Sequence, residues 1–340
     1  MTQGLRVAIV GEGVFGLACA LELAKSGAQV SVHDPKRPLE QNASRVAAGM
    51  IAPVSEALTD ESARPHVDLL LAAGALWPAF AAENGLDLDR TGTLLLGDEA
   101  RLAGLETALS ALGRSSHRLG PSELPDFPLG FAAGLGALAI AEDWRIDSSA
   151  LLSMAVVAED LGVVFNTAPP DLQTIDRLVV ATGWSPSSVK LAPELKVLSP
   201  IKGHILSLPY LDYTGPALRG PGAYAVPSDL GPLIGATMEV GRGEGTVDAA
   251  VARDFAARAA AVFPRLADRP WIAAAGVRAA TPDGLPMVGE SAADGVILAT
   301  GARRNGWLLA PMVGRMVADV VLGHDPGPWA KRLDPRRFDA

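Results

Sequence analysis

Residues 7–16 read VAIVGEGVFG, an apolar stretch that runs into Gly11, Gly13 and Gly16 in G-x-G-x-x-G spacing and then into a helical pattern. The apolar residues 5–10 predict a strand, Val14 to Lys25 a helix with Leu17, Leu21 and Ala24 on one face, and 29–33 a second strand. Strand, glycine turn, helix and strand together make a βαβ opening. The glycines permit a tight turn and close approach of a pyrophosphate. The helix start, with Val14 and Phe15, presents a positive dipole end to phosphate charge. Asp34 follows Gly16 by 18 residues at the end of the second strand, where a carboxylate accepts hydrogen bonds from ribose hydroxyls and disfavours a 2'-phosphate. NAD and FAD both satisfy this motif, and a site must further along the chain decide between them.

The rest of the composition narrows the class. With 340 residues, of which 49% are hydrophobic, the chain can bury a large core and has the length of two ordinary domains. Its 38 acidic against 29 basic residues, with no basic run longer than a pair, argue against nucleic acid and for a small-molecule ligand. Cys19 is the one cysteine, so neither an internal disulfide nor a thiolate metal site can form, and a cytoplasmic location is expected. The five histidines are scattered and predict no metal site. No export signal is expected, since the first apolar stretch turns at glycines. Residues 129–141 form a 13-residue apolar run broken by glycines, too short for a membrane span.

Two domains would have to interleave, because no linker-like stretch separates them. Residues 64–112 read as mostly helical with a strand at RTGTLLLG, and 147–161 as a helix starting at Asp147 and Ser148. Residues 176–184 and 294–302 are short buried-type strands ending in Ala-Thr-Gly, so Ala181, Thr182, Gly183 and Gly301 are placed beside one cofactor. Between them lie further strands and a helix at 247–263, and a last helix runs from about 308 to 322 with Pro311 in its first turn. The predicted fold is α/β, a Rossmann-type cofactor domain over 1–82, 142–199 and 272–340. It interleaves with a smaller α+β substrate domain over 83–141 and 200–271 built on a mainly antiparallel sheet. Residues 42–53, NASRVAAGMIAP, place the small side chains of Ser44, Ala47, Ala48 and Gly49 where backbone can approach a flat ring or a phosphate.

Five blocks in order, GEGVFG, SRVAAGMIAP, YAVPSDLGPLIGATMEVG, AGVRAATPDGLPMVG and ATGARRNGWLLAP, span residues 11 to 311. With them the chain resembles the D-amino-acid oxidase superfamily of FAD enzymes, and among these the glycine oxidases of thiamine biosynthesis. The resemblance implies noncovalent FAD, and Cys19, inside the first helix, offers no attachment point. It implies a carboxylate-binding arginine at Arg278, a second active-site arginine at Arg304, a substrate-side tyrosine at Tyr224, and pocket-lining methionines at Met50 and Met238. Gly301, Arg303, Arg304, Asn305, Gly306, Trp307 and Leu308 fall in the segment that wraps the flavin ring, with Met50 beside it. Arg303 stands where an aromatic residue is common, Ala279 where proline is usual, and Gly222 where some members have histidine.

The implied reaction is oxidation of glycine, sarcosine or a small D-amino acid to an imine, with oxygen as acceptor and hydrogen peroxide as product. A homo-oligomer is implied as well. The same blocks would serve a dehydrogenase passing electrons to a quinone or protein. A noncatalytic flavin sensor and an NAD enzyme are the other readings, separable by whether bound flavin is present and is bleached by amines. Of the arginine pair, Arg304 is assigned to the substrate carboxylate and Arg303 to the flavin or the surface.

Overall fold

Residues 4–35 and 42–338 are described in a computed structural model of the chain. The opening strand Arg6–Val10 sits inside a six-stranded sheet, flanked in parallel by Gln29–His33 on one side and Arg177–Val180 on the other. Val296–Thr300 adds in parallel beyond Arg177–Val180, Val164–Asn166 closes the far edge, and Met287–Glu290 runs antiparallel at the near edge. Four of the five parallel strands deliver Gly11, Asp34, Ala181–Gly183 and Gly301 to a common crevice, where open α/β sheets bind ligands. The two Ala-Thr-Gly strands are direct neighbours.

Helices Val14–Lys25, Ala150–Asp160 and Gly306–Leu322 cover one face of this sheet, and Leu17, Leu21, Met154, Leu309 and Val313 are among the buried side chains between them. The last helix starts two residues before the expected point, which puts Pro311 in its second turn. Proline there removes a helical N–H and loosens nearby carbonyls. The Trp77 indole N–H donates to one of these, the Leu308 carbonyl, at 3.1 Å. Ala150–Asp160 begins later than expected, because the Asp147 carboxylate accepts the Ser149 N–H and holds residues 147–149 in a turn.

A nine-stranded sheet forms the second body, antiparallel apart from the pairing of Thr93–Gly97 with Ala217–Arg219. Helix Ala249–Ala259 packs on one of its faces, burying Phe255 and Ala252 against Leu206, Ile234 and Leu218. One predicted boundary needs correction. Ile272–Ala280, placed with the cofactor domain, pairs over its whole length with Ser199–Ser207 and lies in this second sheet. Its pairing partner is some 70 residues away, so no local pattern reveals it. Among the described residues, one helical stretch, Arg64–Glu83, is long and apolar enough to cross a membrane. Here Leu69, Leu70, Ala73 and Trp77 of that stretch are buried in the core beside the last helix.

Candidate functional site

Alternation along the second sheet sorts its side chains onto two faces. His204, Leu206, Ile234, Ala225 and Leu218 point away from the first sheet, whereas Arg278, Gly203, Gly235, Tyr224 and Arg219 share the other face in register. Two glycines on that face give the floor its shape. A Cβ at Gly203 would overlap the Arg278 guanidinium, and one at Gly235 would overlap the Tyr224 ring. Each bare glycine lets a long side chain lie flat across the sheet.

Above this floor is a cavity of about 390 Å³ whose walls include Met50, Met238, Tyr224, Arg278 and Arg304. The sequence expectation placed all five on the substrate side, and the structure brings all five together. Arg278 has no carboxylate partner among the described residues; its guanidinium makes one long hydrogen bond, 3.5 Å, to the Thr237 carbonyl. Burial pushes its pKa down, the Tyr224 hydroxyl acts against that, and Arg304 and Arg303 push it further down. Burial pushes the Tyr224 hydroxyl up while Arg278 and Arg304 draw it back. That hydroxyl makes no hydrogen bond within the described chain.

Arg304 is a different kind of group. Its guanidinium lies 3.3 Å from Glu56 Oε1 and 3.4 Å from Asp60 Oδ2, so its charge is already matched inside the protein. Glu56 also binds Arg219 at 2.5 Å and is only 5% exposed. Burial alone would raise the Glu56 carboxyl, but Arg304 and Arg219 hold it below its ordinary value. Glu56 Oε2 and Arg219 Nη1 are buried without a hydrogen-bond partner among the described residues. Sequence reading missed Glu56 and Arg219, since each is one charge in an ordinary stretch and their contact spans 163 positions.

Glu56 is held by helix Pro53–Thr59, whose first N–H groups, on Val54 and Ser55, donate to buried Asp143 at 2.9 Å each. Arg303 takes a left-handed backbone, φ +48°, ion-pairs with Asp60 and lines the neighbouring cleft. The adjacent arginines meet on one carboxylate oxygen, Asp60 Oδ2, with Arg304 lining both spaces and Arg303 the cleft.

The second cleft, about 330 Å³, runs from Gly11, Gly13, Val14, Phe15 and Asp34 past Ser44 and Ala47 to Ala181–Gly183, Gly301–Arg304 and Gly306. It shares Ala47, Arg278, Arg304 and Trp307 with the first cavity. Gly11 has φ +109°, and a Cβ there would come 2.5 Å from the Ala181 carbonyl oxygen. The Gly11 N–H donates to the His33 carbonyl at 2.9 Å, so what this turn offers a pyrophosphate is bare glycine backbone at Gly11 and Gly13, which lets it approach closely, and the positive end of the helix that follows. Asp34 accepts the Glu12 N–H at 3.0 Å. Thr182 Oγ1, buried in the cleft wall, has no partner among the described residues. A long dinucleotide with polar groups along its length fits this lining.

Some expected cofactor contacts fall elsewhere. Ala48, Gly49, Met50 and Asn305 line the first cavity and not the cleft. Ser44 Oγ accepts the Val14 N–H at 3.1 Å, serving the helix start. Gly16 and Leu308 line neither space. A Cβ on Gly16 would overlap the Gly11 carbonyl, so this glycine permits helix packing, and Leu308 is buried in the core. Trp307 is held by its indole N–H to the Ser44 carbonyl at 3.1 Å. Cys19 is fully buried in the core and lines neither space; burial pushes its thiol pKa up.

A family profile described as FAD dependent oxidoreductase (DAO) matches residues 6–320. The chain is similar to the glycine oxidase of Geobacillus kaustophilus, with 31% identity over 364 residues and 94% of each chain covered. It is similar to the glycine oxidase of Pseudomonas aeruginosa, with 30% identity over 369 residues, 96% of this chain and 98% of that one. The crystal structure of the Geobacillus kaustophilus glycine oxidase matches with a TM-score of 0.83 at 28% identity, covering 99% of this chain and 100% of that one.

Proposed function

The chain belongs to the FAD-dependent oxidoreductase (DAO) family, and from that footing we propose that it oxidises glycine or a similarly small amine, such as sarcosine or a small D-amino acid, using oxygen. FAD bound along the cleft lined by Gly11, Gly13, Asp34 and Gly301 would supply the two-electron chemistry, as acceptor of hydride from the substrate α-carbon and donor of two electrons to oxygen, with hydrogen peroxide as product.

The observation that carries this reading is Arg278, a guanidinium without a carboxylate partner among the described residues, lying on the wall shared by the two spaces. A substrate carboxylate supplies the missing partner in bidentate geometry, and this fixes the amino acid by one end. The Tyr224 hydroxyl, kept protonated by burial, donates to the same carboxylate. The Arg278 cation disfavours ammonium beside it and so favours the neutral amine, the form able to lose hydride. Arg304 acts through position: Glu56 and Asp60 hold it, and it closes the cavity beside Met238, whose sulfur is 4.0 Å from Arg304 Nη1. Met50 and Met238 give the remaining walls an apolar, adaptable surface.

On the cofactor side, the roles assigned are phosphate contact at Gly11 and Gly13, ribose contact at Asp34, and ring contact along Gly301–Trp307. The helix starting at Gly306 turns its positive end toward that ring position. The enzyme is placed in the cytoplasm as a homo-oligomer, and its FAD is held noncovalently. Peroxide formation by the purified flavoprotein with glycine in aerated buffer tests the reading. Bleaching of the flavin by glycine without peroxide would instead assign a dehydrogenase.

A further inference from the structure

Resting on the amine-oxidising reading above, we propose that the cavity is built for an amino acid carrying a second carboxylate, with Arg101 as the anchor for that distal group. Four guanidiniums line the cavity, those of Arg101, Arg219, Arg278 and Arg304, against one lining carboxylate, Glu56. Glu56 is already shared by Arg219 and Arg304, and Asp60 takes the rest of Arg304. Two cations are left without a carboxylate among the described residues, Arg278 and Arg101. A monocarboxylic amino acid answers only the first of them.

Arg101 is positioned in advance. It lies in the first turn of helix Glu99–Ala111, its stem rests across Gly97, and its Nε donates to the Leu96 carbonyl at 3.2 Å. A Cβ on Gly97 would come 2.7 Å from Arg101 Cδ, so only the bare backbone admits this placement. Arg101 is half-buried, so pairing there does not take a fully buried charge out of water. Room for a longer substrate exists as well. Gly222 lines the same cavity, and a Cβ there would meet nothing within 4 Å. The Arg219 guanidinium pairs with Glu56 through Nη2, and among the described residues its buried Nη1 has no hydrogen-bond partner.

The test uses the FAD-loaded enzyme and compares acids with their isosteric amides: D-aspartate with D-asparagine, D-glutamate with D-glutamine, glycine as control. The expected result is a kcat/KM for at least one acid about tenfold or more above its amide, as a charge-assisted pair implies. In Arg101→Met that preference should shrink to within about threefold, with glycine oxidation and FAD content unchanged; Arg101→Lys should restore part of it. Binding is read independently from the visible flavin spectrum, with malonate expected to bind about tenfold more tightly than acetate in wild type and to lose that advantage in Arg101→Met. Equal handling of acid and amide, or an acid preference that survives Arg101→Met, overturns the inference and leaves glycine oxidation standing. Failure of every amine to reduce the flavin, with the malonate preference intact and dependent on Arg101, overturns the oxidase reading and leaves the second anion site.

Discussion

Replacing Arg278 with methionine separates binding from folding, because the structure gives this side chain little to do in the ligand-free fold. Its guanidinium has no ion pair among the described residues and one 3.5 Å hydrogen bond, and burial beside Arg303 and Arg304 disfavours its charge. Methionine keeps the length of the stem and removes the cation, so the ligand-free protein should melt no lower than wild type. The substrate, however, loses a bidentate, partly desolvated charge pair. Truncating such a pair costs about 3 kcal/mol, the middle of the usual range, which converts to a loss of about 160-fold in kcat/KM. The loss should fall mainly on KM, since the carboxylate is held in ground and transition states alike. Steady-state peroxide assays give the kinetics and thermal unfolding of the apo- and FAD-loaded forms gives the stability. A clear drop in Tm with near-normal kcat/KM would show that Arg278 is a structural group and would refute the reasoning.

The neighbouring carboxylate should behave in the opposite way. Glu56→Gln leaves Arg219 and Arg304 short of a buried partner and should cost about 3–5 kcal/mol of stability, read by denaturant unfolding. Because Arg219 and Arg304 hold the Glu56 carboxyl below its ordinary value, its contribution is full above the unfolded carboxyl pKa. It is lost as pH falls through the lower folded value, so the gap between variant and wild type should narrow only in acid. Gly203→Ala should push the Arg278 guanidinium off the sheet and raise KM at least tenfold, with FAD content much less affected, since Gly203 itself lines the cavity and not the cleft. Gly11→Ala should do the reverse: with φ +109° and the Ala181 carbonyl 2.5 Å from the new Cβ, the variant should purify with little FAD, as its absorbance ratio will show.

The parts legible in the sequence were those written in local pattern. The glycine spacing of residues 11–16, the following helix and Asp34 fix a βαβ unit within some 30 residues, and the two Ala-Thr-Gly strands repeat a local signal that put both their ends beside one cofactor. The chemistry of Arg278, Arg304 and Tyr224 came from resemblance, because an isolated arginine at a strand end reads as a surface group. What stayed hidden depends on contacts across the chain. Glu56 and Arg219 become a pair only when helix Pro53–Thr59 meets the second sheet, and Ile272–Ala280 joins that sheet through a partner far upstream. One signal could have been used: Gly203 interrupts the strand IKGHILSL, and a glycine inside a strand marks a close approach, here that of the Arg278 guanidinium. Proximity in sequence to the ring-wrapping segment does not set side-chain direction: the helix begins at Gly306 and already turns the Leu308 side chain into the core.

The central claim is that Arg278 and the flavin-side wall together orient a small amino acid for oxidation. Anaerobic mixing of the purified flavoprotein with glycine tests it most directly. The account predicts full loss of the oxidised-flavin absorbance with wild type, and the same end point reached only at far higher glycine concentration with Arg278→Met. Wild-type flavin that stays oxidised with glycine, sarcosine and small D-amino acids alike would contradict it.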